Sequence, residues 1–263
     1  MMMKRFDDWV HDPMHHHSQR RFIMREVLLV GGFALLYFYV RGLMDAKETL
    51  AKAHAVDVIH FEQKLGIFVE PDIQQWFRNH VLLIDFFNSV YIYGHWPVLI
   101  GTLFWLVFRH RDEYPRYRNA LVISGCIGVV IFATYPVAPP RMMTAYGFWD
   151  SVTARTNAYR VLQPPALTNP YAAIPSLHFG WNLLMGIAWV TNAETIIGRI
   201  FGWVVPVLMF MAIVITANHL IIDGVIGATL TLSCFAFATW LARRHPRPTR
   251  ESPATAPEVA PSP

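Results

Sequence analysis

The chain has 263 residues, of which 54% are hydrophobic and only 15% charged, against about a quarter charged in a soluble domain. That balance excludes an ordinary soluble enzyme and predicts an all-α, polytopic membrane protein whose first partner is the lipid bilayer. The net charge of +4 is not an even basic coat, and no nucleic-acid partner is expected.

Six membrane-spanning helices are predicted within a membrane domain covering residues 25–242. Residues 1–24 read as a cytoplasmic tail, with His15, His16 and His17 as solvated polar residues rather than a metal site. The first span covers 27–40, reaching back to Phe22. No small-residue cleavage site follows it directly, so it reads as a retained helix and not a signal peptide. The second, 84–108, contains Pro97, which should kink it. The third is 121–137, the fourth 174–190, the fifth 196–216 and the sixth 219–241. Only Ala217 and Asn218 separate the last two, and Asn218 suits a helix N-cap. Residues 243–263 read as a disordered cytoplasmic tail, with six prolines from Pro246 onward. Cys126 and Cys234 lie inside apolar runs and read as packing residues.

Charge sets the orientation. Fourteen of the lysines and arginines fall on one side: Lys4, Arg5, Arg20, Arg21, Arg25, Arg109, Arg111, Arg116, Arg118, Arg199, Arg243, Arg244, Arg247 and Arg250. The other eight are diluted over two long loops and offset by acids. The positive-inside rule puts both termini in the cytoplasm and the segments 41–83 and 138–173 outside a cell membrane. Within the first, residues 46–65 read as a helix on the membrane surface, with Leu50, Ala53, Ile59, Phe61 and Leu65 as its apolar positions. Ile73, Trp76 and Phe77 are expected to dip back into the interface.

Two histidines stand where an apolar chain needs a reason for them. His178 lies in Ala-Ala-Ile-Pro-Ser-Leu-His (172–178) and His219 in Asn-His-Leu-Ile-Ile-Asp (218–223). His219 and Asp223 are spaced i,i+4, so on a helix they share a face and can touch. The predicted topology brings both histidines to one depth on the outer face, with Arg141 of Tyr-Pro-Val-Ala-Pro-Pro-Arg (135–141) beside them. Pro175 suits a first helical position, and the backbone N–H groups around Ser176 to His178 would then make an anion site. Arg141 can add bidentate bonds to phosphate oxygens. A phosphate held there has His219 as nucleophile, Asp223 orienting it and His178 as general acid.

Each residue also has a plainer reading. A single membrane histidine serves packing more often than catalysis, and Arg141 also suits a headgroup anchor. His-x-x-x-Asp is also half a metal site, but Asp150 is the only further loop ligand nearby, so no metal or other cofactor is expected. Asn88, Tyr91, Tyr93 and His95 form a polar patch in the second span that fits either a substrate cleft or interhelical hydrogen bonding. Trp181, Trp189 and Trp203 read as core or interfacial anchors.

Ala-Ile-Pro-Ser-Leu-His followed about forty residues later by His-Leu-Ile-Ile-Asp resembles the type 2 phosphatidic acid phosphatase superfamily. The Pro-Ser-Leu-His form is closer to its inositol phosphorylceramide synthase branch than to the Pro-Ser-Gly-His of many lipid phosphatases. The likeness spans roughly residues 25–242. It implies His219 as nucleophile, Asp223 as its partner, His178 as general acid and no metal requirement. The superfamily also places an arginine six residues before the nucleophile, where this chain has Ile213. Arg141 is the evident replacement for binding phosphate, with Arg155 and Arg160 in reserve.

The expected activity is therefore transfer of a phosphoryl or phospho-headgroup unit, inositol phosphate included, from a phospholipid or polyprenyl phosphate to an alcohol or polyol. Hydrolysis by water is the alternative, using the same residues. A non-catalytic lipid-binding or transport protein is the remote one, against which the complete His178, His219 and Asp223 set argues.

Overall fold

The apolar runs fold as helices, and the polar and proline-bearing segments between them make a cap at one end. In this computed structural model the described residues are 13–42, 48–155 and 169–244. Arg160, residues 1–12 and residues 245–263 lie outside them. Helix α1 is Pro13–Gly42, α2 Glu48–Leu65, α3 Glu70–Arg78 and α4 Val81–Ser89. A single π-turn, Val90–Gly94, joins α4 to α5, His95–Arg109. Then come α6 (Tyr114–Thr134), two 3-10 turns (Pro140–Met142 and Thr144–Tyr146), the short α7 (Ser151–Arg155), α8 (Leu177–Asn192), α9 (Ile196–Ile215) and α10 (Ile221–Arg244). Among the described residues there is no strand, only an isolated parallel bridge between Val137 and Ala172.

Among the described residues five helical stretches are long and apolar enough to cross a membrane: Arg20–Val40, Val81–Arg109, Tyr114–Thr134, Ile196–Ile215 and Ile221–Arg244. The predicted fourth span, 174–190, is instead the 16-residue α8, about 24 Å long. It is the centre of the bundle, packed against α5, α6, α9 and α10. Its start also differs from the sequence expectation. Ser176 is the N-cap, its hydroxyl accepting from Phe179 N–H, so Pro175 precedes the helix and is not its first residue. The irregularity expected of Pro97 falls just before it, in the π-turn. Proline removes an N–H and crowds the carbonyl four residues back, and a widened turn accommodates both.

The turn between α9 and α10 is longer than expected and uses Asn218 differently. Ala217 takes φ 51°; its N–H donates to the Val214 carbonyl, and Asn218 N–H to Ile213. That is a Schellman end to α9 with alanine where glycine is usual. The chain reverses through Thr216–Leu220, and α10 begins at Ile221 rather than at His219. Asn218 is buried inside the turn instead of capping a helix.

Helix α2 packs on the protein through small residues, and of its predicted apolar positions only Ile59 is buried. Helix α2 buries Ala51, Ala55, Ile59 and Glu62, while Leu50, Phe61 and Leu65 are exposed. Its small residues allow a close approach to Val137, Ala138, Ala173, Ile174, Ala217 and Leu220. Gln74 of α3 then clasps Trp149 through both its amide atoms, at 2.7 and 2.8 Å. The two free cysteines differ, Cys234 buried and Cys126 exposed.

Helices α8 and α10 approach each other backbone to backbone at two glycines. A Cβ on Gly227 would lie 2.2 Å from the Ser176 carbonyl oxygen, and one on Gly180 2.5 Å from that of Gly227. Such close contact is how membrane helices gain packing energy without a hydrophobic drive. Gly227→Ala must push the helices apart at backbone atoms that cannot give. We expect it to destabilise the protein by about 1–3 kcal/mol, read as a lowered thermal midpoint in detergent. An unchanged midpoint would mean that the crossing is looser than the geometry states.

Candidate active site

Position comes first. His178 sits in the first turn of α8, and His219 in the turn before α10. The close crossing of those helices brings the two rings to 6.1 Å between centroids. One small cavity of about 30 Å³ is lined by both, together with His95, Trp96, Trp181, Tyr37 and Pro175. Ser176 ties the two segments directly, its N–H donating to the Asp223 carbonyl at 3.0 Å.

The state of the His219 ring follows from its neighbours. Its Nδ1 lies 2.8 Å from the Ala173 carbonyl oxygen and 3.6 Å from Asp223 Oδ2. A carbonyl only accepts, so Nδ1 carries a proton, and in the neutral ring the lone pair is on Nε2. The sequence pairing of His219 with Asp223 therefore holds at ion-pair range, with the shorter bond going to a carbonyl that spacing did not reveal. Asp223 Oδ2 accepts from Leu220 N–H at 2.9 Å, which fixes the turn bearing His219. Because His219 precedes the helix, the contact comes from this turn and not from a shared helix face.

Arg141 is buried and held to the same turn. Its backbone N–H donates to the Ala217 carbonyl at 2.7 Å, and its guanidinium to Asn218 Oδ1 at 3.2 Å. Asp150 lies 3.7 Å from its Nε. Arg141 thus reaches the neighbourhood of His219, as expected. The anion-facing end of α8 is narrower than expected, because Ser176 N–H is bonded to Asp223 and Phe179 N–H to the Ser176 hydroxyl. What remains there is the first turn at Leu177 and His178.

The polar patch of the second span divides. Tyr91 stacks on His178 at 4.7 Å and His95 tilts against it at 4.5 Å. Asn182 bridges them, its amide nitrogen 2.7 Å from both His95 Nδ1 and the His178 carbonyl. The π-turn is what aims Tyr91 and His95 at α8. Asn88 goes elsewhere, exchanging hydrogen bonds with Ser151 of α7 at 3.2 and 3.3 Å, the interhelical alternative to a place in the substrate cleft. Tyr93 is half exposed. Arg155 ends α7, and Arg160 lies outside the described residues.

Two residues of this region went unread in the sequence. Glu62 of α2 and Glu70 of α3 are fully buried, and each caps a first-turn N–H of α10. Glu70 accepts from Ile221 and Glu62 from Ile222, both at 2.8 Å. With Asp223 on Leu220, three carboxylates satisfy three consecutive orphan N–H groups at the positive end of the helix. Burial, with the nearby charges of Glu70 and Asp223, pushes the Glu62 pKa up to about 8 against the Ile222 hydrogen bond. The available signal was Ala51, Ala55, Ile59 and Glu62 recurring on one helical face, which a search for large apolar residues passes over. Among the described residues no group of three His, Cys, Asp or Glu is arranged to hold a metal ion.

A family model described as PAP2 superfamily matches residues 56–237, from within α2 to near the end of α10. No curated protein and no solved structure matches the chain.

Glu62 gives this arrangement a pH signature. Its folded pKa lies above the ordinary 4.5, so the fold favours the protonated acid. The stability this contributes is complete below about pH 4.5 and is lost as pH rises toward about 8. Glu62→Gln keeps the acceptor for Ile222 and cannot ionise, so it should flatten that decline in thermal midpoint. Parallel wild-type and variant profiles across the window would contradict the assignment.

Proposed function

From the premise that this chain belongs to the PAP2 superfamily, we propose that it is a lipid phosphotransferase working through a phosphohistidine. Membership supports a phosphatase- or phosphotransferase-type activity on lipid phosphates, in a superfamily of enzymes that generally need no metal. The single observation carrying the finer reading is the 6.1 Å between the His178 and His219 rings in one cavity.

The chemistry follows from the protonation state. His219 Nε2 attacks phosphorus of the donor, forming an N–P bond as the P–O bond to the donor alcohol breaks. His178, protonated, gives its proton to the departing oxygen. Positive charge on the His219 ring is stabilised by the Ala173 carbonyl at Nδ1 and by Asp223 behind it. Arg141 and the first turn of α8 bind the phosphate oxygens. In the second half His178 takes a proton from the acceptor hydroxyl, whose oxygen attacks phosphorus and releases His219. Tyr91 and His95 hold the His178 ring in place.

The acceptor is an alcohol or polyol, inositol phosphate transfer being one case, supplied beneath the α2–α3 cap. A second reading, hydrolysis, is favoured by the cavity itself, since about 30 Å³ suffices for water but not for a sugar without opening. In the full architecture α8 is a span as well, the fourth in chain order of six, both termini are cytoplasmic and the site faces outward. The clustering of Arg109, Arg111, Arg116, Arg118, Arg243 and Arg244 at the opposite end supports that orientation. The exposed Leu50, Phe61 and Leu65 suit contact with the outer membrane surface.

The test is turnover of labelled phospholipids and polyprenyl phosphates in detergent, with and without candidate alcohols. Free phosphate reports hydrolysis and new lipid products report transfer. His219→Ala should remove both, with a loss of at least about a thousandfold. Turnover that survives unchanged in that variant would rule out a phosphohistidine.

A further inference from the structure

Most of α1 faces outward, and it is fastened chiefly to α6. Phe33 lies over Gly125, and Glu26, with Arg25 beside it, pairs with Arg118. Between α1 and α5 the chain leaves a crevice. Its upper part, about 260 Å³, is lined by residues including Gly31, Ala34, Phe38, Leu99 and Leu103. Its lower part, about 210 Å³, is lined by Ile23, Val27, Phe104, Val107 and others. The two parts share Val30, Gly31, Ile100 and Leu103, so they are continuous. At its top the crevice shares Tyr37, Trp96 and Trp181 with the cavity of His95, His178 and His219.

We propose that this α1–α5 groove binds a single hydrocarbon chain of the phosphate-bearing substrate, with its head at the histidines, and so measures chain length. The inference rests on the phosphotransferase reading for the identity of the head, and on the groove alone for the tail.

Three features point to that occupant. The groove starts at the candidate site rather than elsewhere on the lipid-facing surface. Its walls are apolar but for Arg118 in the upper part and Glu26 in the lower, which pair with each other. From Tyr37 to Ile23 it runs along α1 for about 21 Å, and from Trp96 to Phe108 along α5 for about 18 Å, a large part of the ~30 Å hydrocarbon thickness. A polyol or sugar would find no hydrogen-bond partners along such a wall, whereas each buried methylene is favourable. The Tyr37, Trp96 and Trp181 rings at the junction give an amphipathic collar where tail meets head.

Glycine supplies the test. A Cβ on Gly31 or on Gly32 meets nothing within 4 Å, yet only Gly31 lines the groove. Leucine is a strong helix former at either place. Gly31→Leu should therefore fill the groove and Gly32→Leu should not, with similar effects on the helix itself. The probes are octyl phosphate and hexadecyl phosphate in mixed micelles. Gly31→Leu should lower kcat/KM for the hexadecyl ester about tenfold, the equivalent of displacing about two methylenes, and leave the octyl ester unchanged. Gly32→Leu should match wild type on both.

Equal responses of the two variants, or an unchanged ratio in Gly31→Leu, would overturn the proposal and make the groove ordinary bilayer contact. A second readout stands apart from turnover: photo-crosslinking of a hexadecyl phosphonate carrying a terminal diazirine. Labelling within α1 and α5 near Ile23 and Val107, lost in Gly31→Leu, supports the groove even if no ester is cleaved. Absence of labelling there in the wild-type protein sinks it even if esters are turned over.

Discussion

Everything at the candidate site depends on how closely α8 approaches α10. Ser176 and Gly227 meet backbone to backbone, leaving no room for a Cβ, and Ser176 N–H reaches the Asp223 carbonyl. That contact docks the start of one helix against the start of the other. His178 and His219 then share a cavity as a consequence of helix packing. In a bilayer, where apolar burial offers little net drive between helices, such contacts and hydrogen bonds carry the association. The same device recurs between α8 and α9, where a Cβ on Gly186 would lie 2.4 Å from the Gly202 carbonyl oxygen. A short central helix can thus be gripped on two sides.

The cap answers a different demand. A helix that starts inside protein leaves its first N–H groups without partners, and an unsatisfied buried donor costs about 1–3 kcal/mol. Helix α10 has Asp223, Glu70 and Glu62 on three successive donors. Two of these acids come from α2 and α3, so covering the site and completing the helix are one structural act. The three carboxylates crowd one another, and burial favours a neutral Glu62. The Schellman turn at Ala217, held by Arg141 and the Ile213 carbonyl, completes the mounting of His219. Ile213 is here a buried core residue whose carbonyl anchors the turn, and Arg141 is the guanidinium that the fold holds against that turn.

Helix α1 behaves unlike the other long helices. It contributes Tyr37 to the core and Glu26 to a buried ion pair, yet leaves a crevice toward α5. Tight packing at α8 and loose packing at α1 divide the bundle into a rigid centre that positions reactive groups and a side open to the hydrocarbon. A membrane enzyme acting on lipids needs both, since its substrate arrives from the side.

The sequence alone determined a good deal. Apolar length and charge asymmetry established a helical membrane protein, and the His178, His219 and Asp223 pattern pointed to the residues that the fold brings together. Those readings work because a bilayer imposes a length on helices and penalises every polar residue without a purpose. Local chemistry that depends on neighbours was not legible. Pro175 looked like a first helical residue and Asn218 like an N-cap, but Ser176 caps α8 and Asn218 lies buried in the Ala217 turn. Asn88 fitted a cleft or an interhelical bond, and Ser151 decided it. Glu62 and Glu70 gave no signal of their own, and their role came only with α2 and α3 folded over the start of α10. Only the tertiary structure decided these points, because hydrogen-bond partners 46 to 160 residues away leave no periodicity in the chain that they join.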